Sequence, residues 1–167
     1  MKFIKDIQVK GKRVLVRCDV NVALDSHFAI VSDFKIRQSL PLLQYLVRQK
    51  AKIILMSHLG EPNGVAEGLR LNKVKERLEM FLGLKIQKTE DCIGSEAEAA
   101  SKNLHEGSIL LLENLRFHQE EELNDSNFAK ELSKNGDLYV NDAFAVCHRA
   151  HASVAAIAKY LPALAGP

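Results

Sequence analysis

Two stretches, "IILM" at 53–56 and "ILLL" at 109–112, are apolar at every position. A strand with one wet face alternates apolar and polar residues, so an uninterrupted run needs cover on both sides. That requirement constrains the fold more than any other feature, because a parallel sheet layered between helices meets it directly. "RVLVRCDV" (13–20), "AKIILMS" (51–57), "SILLLEN" (108–114) and "DLYVND" (137–142) read as the main strands. "LKIQ" (84–87) is a weaker strand, and "FAIV" (28–31) reads as a short hairpin arm.

Helix-period segments lie between them. Ile36, Leu40, Leu43 and Val47 share one face, as do Val74, Leu78, Phe81 and Leu82. Pro41 is expected to kink or restart the first helix. "SEAEAASKNL" (95–104) and "DSNFAKELSKNG" (125–136) each open on a capping residue and end near Gly107 or Gly136. "SVAAIAKYLP" (153–162) predicts a last helix, with Ser153 as its N-cap and Pro162 as its stop. The alternation predicts an α/β fold, a three-layer Rossmann-like sandwich with a parallel sheet of about six strands. One domain over residues 1–167 suffices for this length.

Composition narrows the function. The net charge is only +2 with 26% charged residues, which argues against a general nucleic-acid or membrane-surface binder. Cys18, Cys92 and Cys147 are scattered and odd in number, as expected of free thiols in a reducing compartment. The charged start "MKFIKDIQVKGKR" lacks a signal-peptide core and no run is long enough to span a bilayer. These features predict a cytoplasmic protein.

Ligands of open parallel sheets sit outside the carboxyl ends of the strands. There this sequence places Arg17, Asp19 and Asn21 after the first strand and His58 after the second. Arg116 and His118 follow the "ILLL" strand, and "CHRAH" brings His148, Arg149 and His151 after "LYV". In extended backbone Arg17, Asp19 and Asn21 would share a face. An H-x-x-H pair without the H-E-x-x-H glutamate does not point to a metal, and Cys147 beside His148 diverges from it on a helix. Arginines, imidazoles, an amide and a helix N-terminus at Ser153 suit a small ligand with phosphate and carboxylate. Asp19 would need a ligand hydroxyl to accept, so a phosphorylated hydroxy acid has all three groups. No G-x-x-x-x-G-K-[ST] loop is present.

"RVLVRCDVNV", "AKIILMSHLGEP", "LLLENLRFHQEEELND", "DLYVNDAF" and "HRAHASVAAIAKYLP" closely resemble phosphoglycerate kinases, in order, across essentially the whole chain. The resemblance is to the N-terminal half of that family, which binds 3-phosphoglycerate or 1,3-bisphosphoglycerate. The C-terminal half, expected to be missing here, binds Mg-ATP or Mg-ADP. It implies that Asp19 and Asn21 hold the hydroxyl and carboxylate region, that His58, Arg116 and Arg149 bind anionic groups, and that Arg17, His148 and His151 complete a basic patch. It also implies glycolytic phosphoryl transfer between 1,3-bisphosphoglycerate and ADP by the whole enzyme, no turnover by this chain alone, and a monomer or a partnership with a separate C-terminal half.

Two positions depart from the family. "FKIRQSLP" has Lys35 where a critical arginine reaches the transferring phosphoryl group, keeping the charge but losing the planar fork. "SHLGEP" has Glu61 where the family has a substrate-binding arginine. Losing a close charge pair costs about 2–5 kcal/mol, roughly tenfold to a few thousand-fold in affinity. The alternative to a working substrate half is therefore a degenerate anion-binding relic.

Overall fold

The structure, a computed structural model, describes residues 2–166. Six parallel strands form one sheet: β1 (Arg13–Arg17), β2 (Lys52–Met56), β3 (Ile86–Lys88), β4 (Ile109–Leu111), β5 (Leu138–Asn141) and β6 (Ala163–Ala165). Their order is β3-β4-β2-β1-β5-β6. The helices are α1 (Phe34–Arg48), α2 (Asn72–Leu82), α3 (Ser95–Asn103) and α4 (Ser126–Ser133).

Period-two alternation explains the apolar runs. Val14, Val16, Ile53, Leu55, Ile109 and Leu111 point into one core with α1 and α2. Leu15, Ile54, Met56, Leu110, Leu112 and Tyr139 point into the other, with α3, α4 and the segment around Ile157. Both layers are needed, since every one of these side chains is buried. The expected three-layer sandwich is the fold found.

Four local expectations are corrected. Pro41 lies inside one continuous α1. It sits on the exposed face, where water can serve the carbonyl it leaves unpaired, while Leu42, Leu43 and Leu46 stay buried. Ser95 is the first residue of α3 rather than its cap; that position belongs to Gly94 at φ 100. Residues 28–31 contribute only an isolated antiparallel bridge, Leu24 to Ile30, so the sixth strand is β6 instead.

Residues 153–162 do not form an α-helix but turns and a short 3-10 segment, Ala156–Lys159. Their backbone donors are claimed from outside: Ala152 N–H goes to the Glu121 carbonyl (2.8 Å), Ser153 N–H to the Glu121 carboxylate (2.7 Å) and Ala156 N–H to Asn124 Oδ1 (3.1 Å). A helix N-terminus free to meet a ligand at Ser153 is therefore absent. By contrast, Asp125 caps α4 as expected, accepting from Phe128 N–H at 2.8 Å.

From β1 the chain passes through α1 to β2 on one side; from β5 it passes to β6 on the other, across the opposite face. The carboxyl ends of β1 and β5 thus flank a topological switch point, where a crevice opens in such sheets.

Candidate anion-binding site

Arg17 ends β1 and is completely buried. Its Nε donates to Ser153 Oγ (2.9 Å), Nη2 to His58 Nδ1 (2.8 Å) and Nη1 to the Cys18 carbonyl, with Ser57 Oγ at 3.4 Å. Ser153 O–H in turn donates to the buried Glu121 carboxylate at 2.5 Å, which supplies the counter-charge at one remove. Arg17 therefore ties together the ends of β1 and β2 and the segment after β5. Expected in the basic patch, it has every one of its nitrogens occupied internally. Nor does it share a face with Asp19 and Asn21, since β1 stops at Arg17 and the backbone then leaves the strand.

His58 is buried behind Arg17. Burial, reinforced by Arg17, Arg116 and other cations, holds its pKa down to about 2. Arginine cannot accept a proton from Nδ1, so the ring is neutral with its hydrogen on Nε2. It offers a donor, not a charge.

Arg116 sits in the 3-10 turn Leu115–Phe117 after β4 and is 2% exposed. Asn114 fixes that turn: its Oδ1 accepts from Arg116 N–H (3.1 Å) and Leu59 N–H (3.2 Å), and its amide donates to the Leu59 carbonyl (2.8 Å). Arg116 Nη1 donates to Glu61 Oε1 at 2.6 Å and to the Gly60 carbonyl at 3.2 Å. Its Nε and Nη2 are buried without a hydrogen-bond partner, and so is His151 Nδ1. Burial lowers the His151 pKa; Glu121 opposes this and Arg116 adds to it. An unpaired buried donor costs about 1–3 kcal/mol, more when charged.

The loop after β1 completes this rim. Asn21 Oδ1 accepts from Gly60 N–H at 2.9 Å, Asp19 Oδ1 from Asn21 N–H at 3.0 Å, and Lys35 Nζ lies 3.2 Å from Asp19 Oδ2. Arg37 pairs with Asp33 on its own helix instead. His148 and Arg149 are exposed. His118 is drawn away from the rim: it pairs with Asp91 at 2.7 Å and stacks near Phe128. The Asp91 hydrogen bond raises the His118 pKa. With Cys92 these two place three possible metal-ligand atoms within 4.8 Å of one another.

At the switch point lies a cleft of about 400 Å³, lined by Asp19, Lys35, Ser39, Asp142 and Phe144 among others. Asp142, the first residue past β5, has its carboxyl raised to about 6 by burial. It was not among the residues singled out from sequence, although the strand-end rule that selected Asp19 applies equally to it. Glu121 and Ser153, which hold Arg17, gave no sequence signal as a pair because they lie 32 residues apart.

These features define a parallel α/β sandwich with a buried arginine-histidine rim at the carboxyl ends of its strands. The phosphoglycerate kinase family profile matches residues 4–167, and the chain belongs to that family. It is 52% identical over 163 residues to the phosphoglycerate kinase of Dictyoglomus turgidum, covering 98% of this chain and 41% of that protein. The Moorella thermoacetica phosphoglycerate kinase is 52% identical over 164 residues, covering 98% and 42%. The crystal structure of the Pyrococcus horikoshii phosphoglycerate kinase superposes with a TM-score of 0.91 at 32% identity, covering 99% of this chain and 42% of that one. The chain thus spans about two fifths of the length of these relatives. No helix among the described residues is long and apolar enough to cross a membrane.

Proposed function

We propose that this chain is the substrate-holding part of a cytoplasmic phosphoglycerate kinase and binds 3-phosphoglycerate or 1,3-bisphosphoglycerate at the rim. The observation that carries the reading is Arg116: a buried guanidinium whose Nε and Nη2 hydrogens lack partners. Those two nitrogens form the side-on fork that matches a carboxylate or phosphate bidentately. In this reading His58 adds its Nε2 donor, Asn21 orients the carboxylate and hydroxyl end with Asp19, and Arg149 with His148 and His151 supplies further donors. Lys35 would reach the phosphoryl group that is transferred.

Phosphoryl transfer depends mainly on positioning and charge neutralisation. Holding the acceptor in place is what this half contributes. The magnesium nucleotide would be held by a C-terminal half, supplied in the same polypeptide or separately.

A calorimetric titration with 3-phosphoglycerate tests the proposal, with inorganic phosphate and glycerate as controls. Millimolar or tighter binding that needs both anionic groups is expected. A folded chain that binds none of them refutes it. ATP-dependent turnover by the 167-residue chain alone would contradict the division of labour.

A second reading, a catalytically degenerate relic, is favoured by Glu61 on Arg116 and by Lys35 held against Asp19. It predicts that Lys35→Arg with Glu61→Arg restores substrate affinity. No gain in that double variant removes it.

A further inference from the structure

Glu61 and Arg116 are an unequal pair. The Arg116 side chain is 1% exposed, whereas the Glu61 side chain is 75% exposed, and they meet at 2.6 Å. Glu61 takes only Nη1, leaving the Nε/Nη2 edge free. Glu122, the other nearby carboxylate, stands 3.9 Å from Nε, beyond hydrogen-bond range. The buried cation is thus hydrogen-bonded by one exposed carboxylate, from the loop after β2, with Glu122 adding charge at a longer distance.

We propose that Glu61 is a tethered internal anion, competing with the incoming ligand for Arg116. This rests on the reading of the rim as a 3-phosphoglycerate site. Without ligand, Glu61 is the one carboxylate hydrogen-bonded to the buried guanidinium among the described residues, with Glu122 3.9 Å from Nε. When a ligand docks on the Nε/Nη2 fork, two anions share one guanidinium, and like charges this close disfavour binding. The ligand must tolerate Glu61 or push it out into solvent, which its exposure permits. Glu61 therefore lowers the affinity of any anion on that fork, and lowers it most for a doubly charged phosphate ester, whose repulsion with the carboxylate is larger.

The decisive experiment is a calorimetric titration with 3-phosphoglycerate of the chain as it stands and of Glu61→Gln and Glu61→Ala. The two variants are then repeated in an Arg116→Lys background. Glu61→Gln keeps an acceptor for Arg116 Nη1 while removing the charge, and circular dichroism checks that each variant is folded before titration. Competition predicts that both single variants bind about tenfold more tightly or better, the scale of one close charge contact. It also predicts that 3-phosphoglycerate, with its doubly charged phosphate, gains at least as much as glycerate, which bears only a carboxylate. In the Arg116→Lys background the gain should largely vanish, since lysine lacks the fork. Equal affinity of the unaltered chain and both single variants overturns the inference while leaving the substrate reading intact. A gain that survives in full without Arg116 also overturns it, because Glu61 would then act only as a general repulsive charge. Absence of binding in every variant removes the substrate reading, and the inference with it.

Discussion

Arg17 and His58 meet inside the protein, Nη2 of one donating to Nδ1 of the other at 2.8 Å. The contact fixes the tautomer of His58 and keeps its ring uncharged. The sequence places His58 among residues that bind anionic groups and Arg17 in a basic patch; in the structure Arg17 is a buried brace and His58 a neutral donor. The basic rim is consequently narrower than a count of arginines and histidines implies.

A neutral, buried histidine makes the fold acid-sensitive. The folded pKa of His58 is depressed to about 2, against 6.5 when free. Below pH 6.5 the unfolded chain gains a proton that the folded chain refuses, so stability falls as pH drops, by up to about 1.4 kcal/mol per unit. His151, also lowered, acts with the same sign. Replacing His58 by asparagine keeps an acceptor for Arg17 without a titrating ring. Urea denaturation between pH 7 and 4.5 should show a shallower decline in His58→Asn. Parallel declines would contradict the assignment.

Asp142 acts in the opposite sense. Its folded pKa lies near 6 against 3.8 when free, so its effect is absent below 3.8 and stability is lost as pH rises from there through 6. Asp142→Asn should therefore gain roughly 1 kcal/mol at pH 7, with its partial exposure discounted, and nothing at pH 3.5. A variant less stable than the parent at pH 7 would show that the carboxylate has a partner it needs.

Ser153 links Arg17 to Glu121. Ser153→Ala leaves Arg17 Nε without an acceptor and Glu121 without one of its donors, at a cost of about 2–4 kcal/mol. Chemical denaturation at pH 7 measures it. A loss below about 1 kcal/mol would mean that water replaces the hydroxyl inside the rim.

How far the fold could be read in advance follows from what each segment needs. The strands Val14–Val16 and Ile53–Met56 announce themselves because both of their faces are buried. Strand β6 does not, being Ala163–Ala165 between Pro162 and Gly166, and it exists because β5 offers it an open edge. The segment after Ser153 carries apolar residues at plausible helical spacing, yet Glu121 and Asn124 take its donors. Such claims arise only after folding.

The site divides along the same line. The strand-end rule selects Asp19, Asn21, His58 and Arg116, and the fold places their loops together through contacts such as Asn21 to Gly60 and Arg116 to Gly60. Pairing was not legible. Glu61 stands out in the sequence as a reversed charge, but that it grips Arg116 across 55 residues is a property of the fold. Likewise, nothing local indicates that His118 turns to Asp91 rather than to the rim.

The proposed docking of an anion on the unpartnered Nε and Nη2 of Arg116 can be observed at those nitrogens. The most direct measurement is a nitrogen-proton NMR spectrum of the arginine Nε–H groups during titration with 3-phosphoglycerate. The Arg116 signal is identified by its loss in Arg116→Lys. Docking there moves this signal downfield until it saturates with the ligand, while that of Arg13, already paired with Asp137, stays in place. A ligand that saturates the protein without moving the Arg116 signal would contradict it.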